Sequence, residues 1–138
     1  MKKHNTPRAA SEYHEERDHD LHLAYKQAVR RKDLTTLGDI IRATVETPAP
    51  RFYVSEERAA RVVNQWMIHQ QQPKKMLPMQ RMMYEEIIRR VKQMRQSHPK
   101  ERLNRLVWEV ICQPAPRFYL TEKSAYVILR RRMLNVEC

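Results

Sequence analysis

Glycine is almost absent from this sequence: Gly38 is the one glycine among 138 residues. Tight hairpin turns and phosphate-binding loops depend on glycine, because they need positive φ angles or close approach of the backbone to a ligand. The scarcity of glycine therefore argues against β-hairpin folds and against nucleotide-binding or dinucleotide-binding loops. Helix is the secondary structure that this composition favours.

Cysteine and long apolar runs are also scarce. The two cysteines, Cys112 and Cys138, do not suggest a disulfide framework, which fits a reducing compartment. No apolar run approaches the ~18 residues needed to span a bilayer, and no hydrophobic signal stretch follows the first residue. We expect a soluble, cytoplasmic protein without membrane insertion, with a place in a virion as the alternative.

No enzyme or metal motif is present in the sequence. It lacks Gly-x-Ser-x-Gly, His-Glu-x-x-His and a phosphate loop. His19 and His22 lie three residues apart, but no cysteine accompanies them and a polar segment precedes them, which favours a solvated helix surface over a metal site. Cys112 falls on an apolar stripe, where a buried thiol stays protonated and unreactive. We predict no catalytic residue, no metal and no cofactor.

A repeated phrase organises the chain. Pro-Ala-Pro-Arg-Phe-Tyr occurs at residues 48–53 and again at residues 114–119, an offset of 66 residues. Apolar positions on either side recur at the same offset, in the pairs Leu37 and Leu103, Ile41 and Val107, Val45 and Ile111, and Val63 and Leu129. Six consecutive identities with matching apolar flanks predict a tandem duplication.

Each copy of the repeat contains three segments in which apolar residues recur at i, i+3, i+4 and i+7, the pattern of amphipathic helices. Asp33 is the predicted N-cap of the second helix in copy one, and Ser55 and Thr121 are the predicted N-caps of the third helices. The prolines keep the chain extended just before each third helix. The predicted fold is all-α: a tandem duplication of a three-helix unit with short extended connectors.

The predicted organisation has four segments. Residues 1–17 are mostly polar and are expected to form a flexible tail, and residues 18–69 form the first repeat. Residues 70–80 are the linker, and residues 81–138 form the second, more basic repeat. Because a unit of about 60 residues buries a marginal core, we expect the two repeats to share one core.

Positive charge is concentrated in the second half of the chain, whose total formal net charge is +11. Residues 1–69 contain 12 Lys/Arg against 10 Asp/Glu, whereas residues 70–138 contain 15 against 6. Such an asymmetry indicates an anionic partner. The residues predicted to contact the phosphates of DNA or RNA are Arg89, Arg90, Arg95, Arg102, Arg105, Arg117, Lys123, Arg130, Arg131 and Arg132.

The third helix of copy two is also a candidate for entering a DNA groove. Its polar side would present Lys123, Ser124, Val127, Arg130 and Arg131. The matched positions in copy one are Glu57, Arg58, Arg61, Asn64 and Gln65. The set in copy one is much less basic, so copy two is expected to contribute more to any binding of nucleic acid.

The repeated phrase admits three functions: a structural one, contact with nucleic acid, and the docking of a peptide. In the structural interpretation, the prolines set the path of the chain and the aromatic pair fills a gap between helices. In the binding interpretation, the arginine of the phrase (Arg51 or Arg117) contacts a phosphate, and the tyrosine (Tyr53 or Tyr119) lies against a base or a ribose.

The leading prediction is a small basic nucleic-acid-binding or nucleoprotein-associated protein that contacts phosphates through its second repeat. The alternative is a structural or adaptor protein, for instance a virion component, whose partner is an acidic protein or a like subunit. Salt-sensitive binding to DNA or RNA separates the two.

The phrase from Pro48 to Tyr53, followed by Val54-Ser55-Glu56, resembles a phrase in short uncharacterised proteins of gut bacteria of the Bacteroides type and of their phages. The resemblance covers the connector and the following helix of each copy. It implies a bacterial or mobile-element source, and it implies no activity, cofactor or site residue.

Overall fold

The computed structural model describes residues 5–70 and 75–137. These residues form six helices, which are α1 (Asn5–Val29), α2 (Leu37–Val45), α3 (Glu56–Met67), α4 (Pro78–Ser97), α5 (Leu103–Ile111) and α6 (Glu122–Glu137). Within those ranges there is no strand, and the β-type pairing consists of an isolated bridge between Ala49 and Ala115. The predicted all-α class is confirmed.

The helix starts follow from capping side chains. Ser55 and Thr121 each accept a hydrogen bond from the backbone N–H three residues later, at 3.1 Å in both cases, as predicted. Thr36 caps α2 in the same way, at 3.0 Å. The predicted cap of α2, Asp33, lies three residues earlier and forms an exposed ion pair with Arg31 at 2.7 Å instead.

The first helix begins well before the predicted start of the first repeat. Residues 5–17, expected to be a flexible tail, belong to α1. Tyr13 and Arg17 are half-buried and precede the fully buried Leu21 at intervals of four residues, so one face of the helix is already partly covered there. Residues 1–4 lie outside the described residues.

The helices form two compact units whose boundaries differ from those of the predicted repeats. Unit 1 comprises Met1–Pro50 and Ala115–Cys138, and in it α1, α2 and α6 pack together. Unit 2 comprises Arg51–Pro114, and in it α3, α4 and α5 pack together. Each unit therefore takes two helices from one predicted repeat and the third helix from the other. The prediction had grouped each third helix with its own repeat. Instead, α6 packs with α1 and α2, and α3 packs with α4 and α5; we call this arrangement the helix exchange.

Unit 1 has a core of small and branched side chains. Its buried residues include Leu21, Ala24, Ala28, Ile41, Val45, Ala125, Ile128 and Leu129. Thr44 is fully buried as well, and its hydroxyl donates to the carbonyl of Ile40 at 2.7 Å, so its polar group is satisfied. At the surface, Arg42 of α2 pairs with Glu122 of α6 at 3.1 Å.

Unit 2 is centred on a buried tyrosine. Tyr84 of α4 is 1% exposed, and its hydroxyl accepts a hydrogen bond from Nε of Arg58 on α3 at 3.2 Å. Burial raises the pKa of Tyr84, and the Arg58 hydrogen bond offsets part of that rise. Asn64 of α3 donates to Asn104 of α5 at 3.1 Å. These contacts attach α3 to the two helices of the other predicted repeat.

The connectors explain how the third helices are exchanged. In unit 1, the N–H of Phe118 donates to the carbonyl of Val45, the last residue of α2, at 3.0 Å. In unit 2, the N–H of Phe52 donates to the carbonyl of Ile111, the last residue of α5, at 3.1 Å. The two bonds are equivalent under the offset of 66 residues. Each satisfies a helix-end carbonyl that has no partner within its own helix.

The repeated phrase is thus used structurally. Ala49 and Ala115 exchange two hydrogen bonds of 2.9 Å within unit 1, and both residues are 1% exposed. Phe52 and Phe118 are also buried. The geometry agrees with the structural interpretation of the phrase, because its central residues fill the core and hold the chain path.

Candidate nucleic-acid interface

The ten basic residues predicted to contact phosphates are divided between the two units. Unit 2 contains Arg89, Arg90, Arg95, Arg102 and Arg105, and unit 1 contains Arg117, Lys123, Arg130, Arg131 and Arg132. Residues 51–114 have 13 Lys/Arg against 6 Asp/Glu, and the rest of the chain has 14 against 10. The basic residues of the second half of the sequence are therefore divided between two units and do not belong to one.

Two of the predicted arginines in unit 2 are held by one carboxylate. Arg89 and Arg90 both approach Glu86 within 2.7 Å. The hydrogen bond from Arg89 is the main reason that the pKa of Glu86 lies below its usual value, with Arg90 adding to the effect. Arg90 also donates to the carbonyl of Pro114 at 2.8 Å, and its guanidinium lies 5.1 Å from the ring centroid of Phe52. Arg90 is chiefly a structural residue.

The remaining predicted arginines of unit 2 differ in how far they are engaged. Arg95 donates to the carbonyls of Pro99 and Glu101, at 3.3 and 2.6 Å, and so fastens the turn after α4. Arg105 pairs with a carboxylate on its own helix at 3.1 Å. Arg102 is exposed, and its side chain has no hydrogen bond or ion pair among the described residues.

In unit 1, three predicted residues lie free on one side of α6. Lys123, Arg130 and Arg131 are exposed, and no hydrogen bond or ion pair to their side chains occurs among the described residues. At 100° per residue, they share an arc of about 120° with Ser124 and Val127. We call these five residues the α6 basic face. All five are exposed, as the helical pattern predicted.

The opposite side of α6 anchors the helix. Ala125, Ile128 and Leu129 are buried, and α6 packs against α1 and α2. The α6 basic face therefore points away from the helices that hold it. From Lys123 to Arg131 it extends about 12 Å along the helix axis.

Arg117 and Arg132 lie apart from the α6 basic face. Both are half-buried, and the Nε atom of each is buried without a hydrogen-bond partner among the described residues. Arg132 lies near His22 of α1, whose pKa is lowered first by burial and then by the positive charges of Lys26 and Arg132.

An apolar groove borders the α6 basic face. Its volume is about 260 Å³, and its lining comprises Tyr25, Leu37, Ile41, Tyr126, Leu129, Arg130 and Met133. The apolar stripes of the sequence assign Leu37 and Met133 to the core, but both are exposed, at 50% and 37%. Sequence periodicity missed the groove because it marks apolar residues without showing which of them a neighbouring helix covers.

Cys112 differs from its predicted environment. It is exposed and forms the C-cap of α5, one residue beyond the buried stripe, so burial does not account for its chemistry. Cys138 lies outside the described residues. Among the residues described, no group of three or more His, Cys, Asp or Glu side chains is placed to hold a metal ion.

No helix within the described residues has both the length and the apolar character needed to cross a membrane. Comparison of the chain with protein-family models, curated proteins and solved structures found no match.

Proposed function

We propose that this chain is a small basic nucleic-acid-binding or nucleoprotein-associated protein of a bacterium or phage. The observation that carries the proposal is the α6 basic face, where Lys123, Arg130 and Arg131 are exposed and have no ion pair among the described residues. The opposite side of this helix packs against α1 and α2. When such cations contact phosphates, counterions that were condensed on the nucleic acid are released, and this release favours binding.

The predicted phosphate-contacting residues differ in whether a carboxylate already neutralises them. Arg89 and Arg105 are exposed, but each lies within 3.1 Å of a carboxylate that already neutralises it. Binding a phosphate there competes with an existing pair, whereas Arg130 and Arg131 have no such pair among the described residues. We therefore assign the leading role to α6 and a supporting role to the exposed Arg102.

We also propose that the chain is a tandem duplication of a three-helix unit in which the third helices are exchanged. The bounds of α2 and α5 differ by 66 residues at both ends, and α3 and α6 begin 66 residues apart. The equivalent Phe52 and Phe118 hydrogen bonds support the same relation.

The apolar groove supports a second candidate function, that of a structural or adaptor protein. Leu37, Tyr126 and Met133 expose apolar surface beside Arg130, a combination suited to an acidic protein segment with apolar side chains. In this case Arg130 would contact a carboxylate, and nucleic acid would bind weakly or not at all.

A titration of fluorescently labelled nucleic acids tests the first candidate. At about 50 mM salt the protein should bind, and raising the salt fourfold should weaken binding by about 40-fold if three phosphates are neutralised. The double substitution Arg130→Ala, Arg131→Ala should remove most of the affinity and flatten the salt dependence.

The matched control is Arg31→Ala, Arg89→Ala, which removes the same charge from two arginines that are already paired with carboxylates. It should change the affinity by less than about threefold, because surface ion pairs contribute little and the α6 basic face is intact. If wild-type protein fails to bind DNA or RNA at low salt, the proposal is overturned, and a search for protein partners is the next step.

A further inference from the structure

We infer that the nucleic acid bound by the α6 basic face is double-stranded DNA, with α6 lying in the major groove. The inference rests on the proposed function and specifies its ligand. It depends on the shape of the helix, on the side chains of the face and on the aromatic residues that the face lacks.

Shape distinguishes DNA from RNA duplexes. A helix with its side chains is about 10–12 Å in diameter, close to the ~12 Å width of the B-DNA major groove. The major groove of an A-form RNA duplex is too narrow for a helix to enter. Because the α6 basic face is on the side away from α1 and α2, this helix can approach the groove without displacing its anchors.

Aromatic placement argues against single strands as the ligand. Single-stranded nucleic acids are typically held by aromatic side chains on which bases stack. None of the five residues of the α6 basic face is aromatic. The neighbouring Tyr126 is 41% exposed, but it lines the apolar groove at the side of the face. The face thus offers charge without a stacking platform.

The order of side chains along α6 suits a groove. Ser124 and Val127 lie between Lys123 at the start of the face and Arg130 and Arg131 at its end. Their short side chains allow the helix backbone to approach the base edges, while the longer cations reach the phosphates on either side. The exposed isopropyl group of Val127 suits contact with thymine methyl groups on the groove floor.

Wild-type protein with four probes tests the inference. The probes are a DNA duplex of about 20 base pairs, an RNA duplex of the same sequence, one DNA strand, and a DNA duplex whose major groove is filled by glucosyl groups on its cytosines. We expect the unmodified DNA duplex to bind at least about tenfold more tightly than the other three. A ligand that occupies the minor groove should leave this affinity unchanged.

A substitution at the centre of the face gives a second measurement. Val127→Glu places a carboxylate between Lys123 and the two arginines and should weaken binding to the DNA duplex by more than about tenfold. The control Leu77→Glu changes an exposed apolar residue of unit 2 by the same charge and should have an effect of less than about threefold. Val127 is 44% exposed, so the variant should keep the unfolding transition of the wild type.

The outcomes separate the two proposals. Equal affinity for all four probes, or undiminished binding to the glucosylated duplex, overturns major-groove binding and leaves nucleic-acid binding in place. Tighter binding to the single strand or to the RNA duplex does the same. Failure to bind every probe at low salt overturns the proposed function itself.

Discussion

The two third helices, α3 and α6, have the same place in the repeat but present different surfaces. Both follow a Pro-Ala-Pro-Arg-Phe-Tyr connector, and both bury an alanine at the same position, Ala59 in α3 and Ala125 in α6. On α3, Arg58 and Asn64 donate hydrogen bonds to α4 and α5. At the matched positions of α6, Ser124 bonds to Thr121, the N-cap of its own helix, and the side chain of Arg130 has no hydrogen bond or ion pair among the described residues. The buried faces of the two helices pack in a similar way, and their outer faces differ.

Net charge and ion pairing point to different units as the place where an anion would bind. Unit 2 has the larger excess of positive charge, yet Arg89, Arg90 and Arg105 are each paired with a carboxylate. An unpaired arginine binds an anion without first losing a partner. The α6 basic face therefore has an advantage that a count of Lys and Arg does not reveal.

The largest expected effect concerns the phenylalanines of the two connectors. Phe52→Ala and Phe118→Ala should each lower the free energy of unfolding by about 3–5 kcal/mol, because each leaves a cavity in a core. Urea denaturation measures both.

The exposed Leu77→Ala serves as the control and should change stability by less than about 0.5 kcal/mol. Losses below about 1 kcal/mol for both phenylalanine variants would show that these side chains do not anchor the connectors in the cores of their units.

An intermediate effect distinguishes the two connector tyrosines. Tyr119 has a φ of 57°, in the left-handed region that disfavours side chains with a Cβ, and Tyr53 is not among the residues with positive φ. Tyr119→Gly relieves strain of about 1–2 kcal/mol while it removes the side chain, and Tyr53→Gly removes the side chain without such relief. Tyr119→Gly should therefore be the less destabilising variant in thermal unfolding. Equal losses of stability in the two variants would mean that the backbone at Tyr119 is no more strained than the backbone at Tyr53.

The smallest effect tests the helix exchange. A double-mutant cycle on Arg42 and Glu122 should give a small favourable coupling at low salt that disappears at high salt, because both side chains are about half exposed. Glu56 is the residue of the first repeat that matches Glu122. If α3 packed within its own repeat, Arg42 would couple to Glu56 instead, so a cycle on that pair should give no coupling. The reverse pattern would contradict the exchange.

Much of the fold follows from local sequence. The apolar periodicity predicted the helices, and the capping residues Ser55 and Thr121 predicted where two of them begin. The exchange was not predictable in this way, because the buried stripes of α3 and α6 are nearly alike, with Ala59 matching Ala125 and Val63 matching Leu129. Periodicity therefore does not distinguish the two pairs of partners, which contact these helices from positions distant in sequence.

The candidate site was predictable in part. Helical spacing predicted that Lys123, Arg130 and Arg131 share an exposed face. Arg89 and Arg90 lie three and four residues after Glu86, a spacing that indicates ion pairing on a helix. This spacing makes both arginines weaker candidates for contact with phosphate. The carbonyl partners of Arg95 and the half-burial of Arg117 depend on chain turns and packing, which periodicity does not report.

The most direct measurement gives α6 the outer surface of α3. The triple substitution Lys123→Glu, Arg130→Asn, Arg131→Gln installs the residues found at Glu57, Asn64 and Gln65, and all three positions are exposed. We expect this variant to keep its unfolding midpoint and to bind a DNA duplex at about 50 mM salt on the order of 100-fold more weakly than the wild type. Affinity equal to that of the wild type would contradict the assignment of binding to α6.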